Sequence, residues 1–388
     1  MKSTADAVII GGGVMGCSTL YNLANLGMKN TVLIERDVLG SGSTGRSQAI
    51  LRMHYSNPIT SAMAWESLKV FKEFNSLIGG NSGYVKTGYV VLVGEENRTP
   101  LTENVDMHRK LGIETSIISE DDLQVVAPML RASDVGGIAY EPQSGYADPY
   151  SVTAGYAQRS RELGSNIYMR VSATDILVKS GKVTGVVTDK GTIETDTVLV
   201  ASGPWSSRLF RLIGVDIPLF TTRHQIVTVG RPPGLIPTHP GVGDIIQEFS
   251  FRPDSSDLTL IGIGEETVCD PDLYNEGIDI SVAEDAIIKL AKRFPAMEDG
   301  FLRGGWSGLF TNTPDFHPIL DRVPGVDGLF CAVGFSGHGF KLSPMIGLTM
   351  AELITGGKAT TFDLTPLRFS RFEEGDMLRS RYPYHVLA

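Results

Sequence analysis

The sequence predicts an α/β protein of two domains built around a Rossmann-like parallel sheet, and three observations carry that prediction. The chain has 388 residues, too many for one ordinary hydrophobic core and comfortable for two. Residues 6 to 37 run as a short apolar stretch, a glycine cluster, a helical pattern and a second apolar stretch closing on an acid. Residues 84 to 94 and 243 to 265 are rich in strand-forming side chains, and "PMLRASDVGGIAYEPQSGYADP" (128 to 149) between helical stretches is loop-rich.

The first element is the buried strand "AVII", interrupted by Gly11-x-Gly13-x-x-Gly16 as a helix opens with Val14 and Met15. Bare glycines permit a tight turn, close approach of a pyrophosphate and close helix packing, and the helix N-terminus offers N–H groups and a positive dipole end. The second strand, "TVLIE", ends at Glu35, 19 residues after Gly16, where a carboxylate meets a ribose hydroxyl pair. Arg36 follows it, as a surface charge or as a contact to a 2′-phosphate. Strand, glycines, helix, strand and acid together specify a dinucleotide, which the glycine motif alone would not.

The next segment, "GSGSTGRSQAILRMHY" (40 to 55), has small residues that let a loop lie against the cofactor, bringing Ser43, Thr44, Arg46 and Ser47 to it. A simple nicotinamide dehydrogenase has no need of such a loop. "TDTVLVASGPWSSRL" (195 to 209) then gives a third buried strand ending at Ser202, Gly203 and Trp205, a further sheet edge beneath the same cofactor. Near the C-terminus, "LFCAVGF" reads as a strand, "SGHG" as a turn and "FKLSPMIGLTMAELITG" as an amphipathic helix stopped at Gly356 and Gly357.

Composition narrows the function class. Apolar residues make up 42% and charged residues 20%, the balance of a globular chain with a sizeable core, and no run reaches the length of a membrane span. A net charge of −10 works against nucleic-acid binding. The apolar run at Ala7–Ile10 is too short for a secretory signal, so a cytoplasmic or organellar-matrix setting is expected. Cys17, Cys269 and Cys331 lack metal-ligand spacing and read as reduced thiols. His54, His224 and His317 read as structural or surface residues, and no metal is expected.

These pieces, in this order, resemble the D-amino-acid oxidase/glycine oxidase/sarcosine oxidase family of FAD enzymes, nearest to sarcosine oxidase beta-type subunits and related N-methyl amino acid or proline dehydrogenases. Three stretches carry the likeness: "GGGVMG" with "IERD", "GSTGRSQAILR", and "TNTPDFHPILDRVPGVDGLFCAVGFSGHGFKLSPMIG" (311 to 347). It implies a two-domain FAD-binding Rossmann-like fold of glutathione-reductase type with an interleaved α+β substrate domain. The FAD domain would comprise residues 1–83, 142–217 and 317–388, the substrate domain 84–141 and 218–316.

The likeness further implies noncovalent FAD touched also by Val171, Gly337, Gly339, Phe340 and Lys341, with the C-terminal helix start facing the flavin pyrimidine. Arg52 and Lys341 would hold the carboxylate of a small amine substrate, a planar fork and a point charge meeting one anion. His338 is expected to contact flavin or substrate, with a bond to a backbone carbonyl as the plain alternative. The activity implied is oxidation of the C–N bond of a secondary or tertiary amino acid. Oxygen or another acceptor would take the electrons, and a partner subunit or a purely electron-transferring role are the alternatives.

Departures from the family pattern qualify this. Gly308 stands where monomeric sarcosine oxidases tether FAD through cysteine, and Phe310 where they carry tyrosine. Ala49 and, by a looser alignment, Leu260 replace an arginine and a lysine near the flavin, which predicts slow use of oxygen. Asp148 and Pro149 stand where beta subunits attach a second flavin to histidine.

Overall fold

A computed structural model describes residues 1–255 and 257–382; residues 383–388, the end of the expected FAD segment, lie outside the described residues. Two large sheets organise the chain. The first has six strands in the order Ile319–Arg322, Leu329–Val333, Val198–Val200, Ala7–Ile10, Thr31–Glu35 and Asn166–Met169. All neighbours are parallel except the hairpin Ile319–Arg322/Leu329–Val333. The central strand Ala7–Ile10 is entirely buried, as strands covered on both faces must be.

One face of this sheet packs against the helices Val14–Asn25 and Gly339–Gly356. Gly347 allows the contact, since a Cβ there would come within 2.0 Å of Ser18 Oγ. Ser18 Oγ in turn donates to the Ser343 carbonyl at 2.8 Å. The helix Gly339–Gly356 ends as expected, with Gly357 left-handed at φ 76°. It is not amphipathic, however: most of its side chains are buried, because helix, sheet and the segment Pro58–Lys72 enclose it on several sides.

The second sheet has eight strands, from Phe301–Asn312 through Phe220–Gly230, Leu258–Val268, Phe249–Asp254, Gly241–Asp244, Tyr89–Val93 and Gly137–Glu141 to Ser116–Ile117. The helix Ile280–Arg293 covers one face and buries Val282, Ala286 and Leu290 against it. Gly137–Glu141 corrects the loop-rich reading of 128 to 149: its register with Tyr89–Val93 is decided by pairing, which local propensity does not encode. Among the described residues, no helix is long and apolar enough to cross a membrane.

After the last helix the chain returns to the six-stranded sheet. Arg371, fully buried, donates from Nε and Nη2 to the two carboxylate oxygens of Asp315 at 2.8 and 2.9 Å, and from Nη2 to the His317 carbonyl. Asp315 belongs to the "TNTPD" stretch, so that motif's acid anchors the C-terminal segment.

Candidate functional site

A cavity of about 710 Å³ runs between the two sheets, from the glycine turn after Ala7–Ile10 to Lys341. Gly11 has φ 116° and packs under the Ala201 carbonyl, where any Cβ would lie 2.4 Å from the oxygen. A Cβ on Gly13 would meet only Thr44 Oγ1 within 4 Å, so this backbone faces the cavity bare. The helix beginning at Val14 carries no acid in its first turn, leaving its positive end uncompensated. Gly16 does not reach the cavity; its missing side chain makes room for the Gly11 carbonyl and hence for helix on strand.

Glu35 lines the cavity and accepts from the backbone N–H of Gly12 at 2.7 Å and of Asp37 at 2.8 Å. The loop of small residues is held by its own contacts. Thr44 Oγ1 accepts from Val14 N–H, Ser43 Oγ donates to the Leu309 carbonyl at 2.7 Å, and Arg46 donates to the Ser307 carbonyl at 3.0 Å. Met15, Ser47, Val171, Ser202 and Gly203 complete this end of the wall.

At the mouth, Arg36 stacks on Trp205 with its guanidinium carbon 3.8 Å from the ring centroid. Trp205 Nε1 donates to Asp272 at 2.7 Å, and Arg208 pairs with both Asp272 and Asp270. Thus Pro271, Asp272, Tyr274 and Glu276, from a loop of the eight-stranded sheet, close over the expected nucleotide end. Sequence reasoning missed this cover, because "CDPDLYNEG" signals only a turn.

The other end gathers the expected charges. Arg52 and Lys341, 289 positions apart, both line the cavity beside Tyr55: the Arg52 guanidinium carbon lies 4.2 Å from the ring centroid and Lys341 Nζ 6.0 Å. Burial, then the Arg52 charge, pushes the Lys341 ammonium well below its ordinary range. Arg52 also donates to the His54 carbonyl. Gly337, Gly339 and Phe340 present the start of the last helix to the same space, and a Cβ on Gly337 would strike the Phe310 ring at 2.4 Å.

His338 is placed apart from the other expected site residues. Its side chain is off the cavity wall, fully buried, with its ring edge-on to Tyr55 at 5.2 Å and both ring nitrogens without a hydrogen-bond partner among the described residues. The turn points residues 337 and 339 to the cavity and 338 behind it. Burial, then the charges of Lys341 and Arg52, pushes the imidazole well below its ordinary range. His224, read as structural or surface, does line the cavity, stacked on Phe310 with centroids 3.6 Å apart and pushed down to about 3 by burial. Its position on the inner face of Phe220–Gly230 depends on strand register, which the sequence did not reveal.

The departures also find their places. Gly308 faces the cavity beside Arg46, whose Cβ would be 3.1 Å from an added methyl. Leu260 is buried off the cavity; that strand's wall is Gly262–Gly264, and the Gln48 carboxamide fills the space above Gly262. Gln48 is fixed there by donating to the Leu260 carbonyl and accepting from Ser250. Asp148 caps the helix Pro149–Glu162, accepting from Ser151 N–H at 2.6 Å. Cys17 and Cys331 are buried, with Cys17 pushed up to about 12, an inert thiol.

Against known proteins, the family model described as "DAO: FAD dependent oxidoreductase" matches residues 6–353. Mitochondrial sarcosine dehydrogenase of Homo sapiens is 28% identical over 371 residues, covering 92% of this chain but 40% of that protein. The chain therefore spans less than half of that relative's length. Sarcosine oxidase subunit beta of Arthrobacter sp is 26% identical over 388 residues, covering 97% of this chain and 93% of the subunit. Among solved structures, L-proline dehydrogenase from P. horikoshii superposes with a TM-score of 0.90 at 27% identity, covering 97% of this chain and all of that one.

Proposed function

From the premise that the chain belongs to the DAO family of FAD dependent oxidoreductases, we propose that it oxidises the C–N bond of a small secondary or tertiary amino acid, sarcosine-like in kind. The observation that carries this reading is the pair Arg52 and Lys341, two basic side chains from distant parts of the chain at one end of a nucleotide-sized cavity. We take residues 1–83, 142–217 and 317–388 as the flavin-binding part and 84–141 with 218–316 as the substrate-binding part.

The residues present fit FAD. Gly11 and Gly13 leave bare backbone at a helix start, Glu35 stands at the ribose position, and Gly337 and Gly339 leave room at the far end. FAD, when bound, supplies a two-electron acceptor. The chain's own work is positioning. Arg52 and Lys341 hold the carboxylate, and apolar Phe310, Phe335 and Phe340 keep water from the reacting face. The N–H groups opening Gly339–Gly356 stabilise negative charge at the cavity end. The substrate, as the free amine, loses a hydride from the carbon next to nitrogen, and the resulting iminium ion takes up water and releases a proton to give carbonyl and amine.

Ala49 in the cavity wall and Leu260, buried off it, stand where the likeness expects an arginine and a lysine, which favours an electron acceptor other than oxygen, and so a dehydrogenase. A partner subunit would then receive the electrons, in keeping with the likeness to a sarcosine oxidase beta subunit. Anaerobic mixing with N-methyl amino acids tests the reading: flavin absorbance near 450 nm should bleach. Absence of bleaching with every N-methyl amino acid and proline would overturn it. Readmitting oxygen then separates oxidase from dehydrogenase by the rate of recolouring.

A further inference from the structure

Behind Arg52, away from the cavity, three side chains from separate elements converge: His54 after the strand Ile50–Leu51, His108 in the last turn of Arg98–Lys110, and Glu141 closing Gly137–Glu141. Each is completely buried. One ligand atom from each lies within 4.8 Å of the other two. Each also has one polar atom engaged and one to spare. His54 Nε2 bonds Tyr382 Oη at 2.9 Å, His108 Nε2 bonds the Tyr55 carbonyl at 2.8 Å, and Glu141 Oε2 accepts from Met53 N–H and Ser144 Oγ. The atoms without a partner among the described residues are His54 Nδ1, His108 Nδ1 and Glu141 Oε1.

Three orphaned polar atoms on residues of one buried cluster are costly unless something fills it, since an unsatisfied buried polar group destabilises the fold. The arrangement has what a metal centre needs. Two imidazoles and a carboxylate are a common donor set for a first-row divalent ion, and each donor's other atom is oriented by a second partner. Tetrahedral coordination at about 2.0–2.1 Å sets donors about 3.4 Å apart, so these would draw together by up to about 1.5 Å, within side-chain reach, and a water would complete the four ligands. We propose that His54, His108 and Glu141 form a buried structural site for a divalent ion of the zinc type. This stands apart from the flavin reading and departs from the sequence expectation of no metal.

The site would bind three pieces of chain into one. His54 is two residues from Arg52, and Arg52 donates to the His54 carbonyl, so the ion would fix the backbone from which the guanidinium reaches the cavity.

The test uses the purified holoprotein, dialysed free of chelator and then exposed to equimolar zinc sulfate. Metal analysis should find about one zinc per chain, falling below about a tenth in His108→Ala and Glu141→Gln. Glutamine keeps the length and acceptor oxygen of Glu141, so that variant separates lost coordination from lost folding. Dipicolinate should lower the melting temperature of the wild type and leave Glu141→Gln unmoved. Anomalous diffraction at the zinc edge should place the ion between the three side chains. A zinc-free wild type after loading, with a water alone at that point, overturns the proposal, as does zinc retained in full by both variants.

Discussion

On the proposed reading, Lys341 serves binding at the expense of stability. Without a ligand, its ammonium is buried beside Arg52 and its pKa is driven well below the ordinary lysine range. In the window between the lowered folded value and the unfolded one, the unfolded chain binds more protons, so stability rises with pH there. Lys341→Met should therefore melt at a higher temperature than wild type in the absence of substrate at neutral pH, and should lose the stabilisation that a carboxylate ligand gives the wild type. Equal melting temperatures with an undiminished ligand response would remove Lys341 from the site. For catalysis, losing one partner of a desolvated charged hydrogen bond costs about 2–5 kcal/mol, so kcat/KM of Arg52→Ala or Lys341→Ala should fall at least about tenfold. Flavin content should hold, and amines with a neutral group in place of the carboxylate should lose little more in either variant. Asp315 has the opposite pH sign. Burial raises its carboxyl, but the Arg371 hydrogen bonds and charge outweigh that and leave it below its ordinary value. Its contribution is present above about pH 4 and lost as pH falls through the lowered value. Breaking this buried pair by Arg371→Met should cost about 3–5 kcal/mol in urea unfolding at neutral pH and flatten the acid limb of the stability profile. An unchanged midpoint would show the pair to be energetically idle.

At the scale of elements, the turn between Ala7–Ile10 and Val14–Asn25 was legible because its demands are local. Glycines are needed where the backbone turns at φ 116° and where a ligand comes close, and these needs are written within six positions. Gly13→Val should yield protein without bound FAD, read from the absorbance ratio at 450 and 280 nm, because the branched side chain would project into the cavity. Full flavin occupancy would move the nucleotide elsewhere. The strand Gly137–Glu141 was not legible, since its partners are chosen by a sheet assembled from residues 89 to 312. Likewise the last helix has the start and stop signals of any surface helix, yet enclosure by its neighbours makes it a core helix.

For the whole molecule, the cavity is a joint product of both sheets. The Asp270–Glu276 loop crosses from the eight-stranded sheet to Trp205 and Arg208 beside the six-stranded one, and Gln48 from the small-residue loop reaches Leu260 and Ser250. Such contacts join the two sheets around the cavity. Because Gly308 stands where a tether would be, FAD should pass into the supernatant when the protein is precipitated with acid. Flavin fluorescence remaining in the pellet would reveal another attachment point.

The sequence by itself determined the nucleotide turn, the glycine-rich start of the last helix and, through family likeness, the expectation that Arg52 and Lys341 share one cavity. Each rests on residue types needed at short spacing or on a motif quoted whole. Only the tertiary structure decided that His338 turns away from the cavity while His224 faces it, that Asp272 covers the mouth, and that His54, His108 and Glu141 meet. These depend on strand register and on contacts between residues tens to hundreds of positions apart. One residue of register reverses which face a side chain occupies, and no local pattern carries that choice.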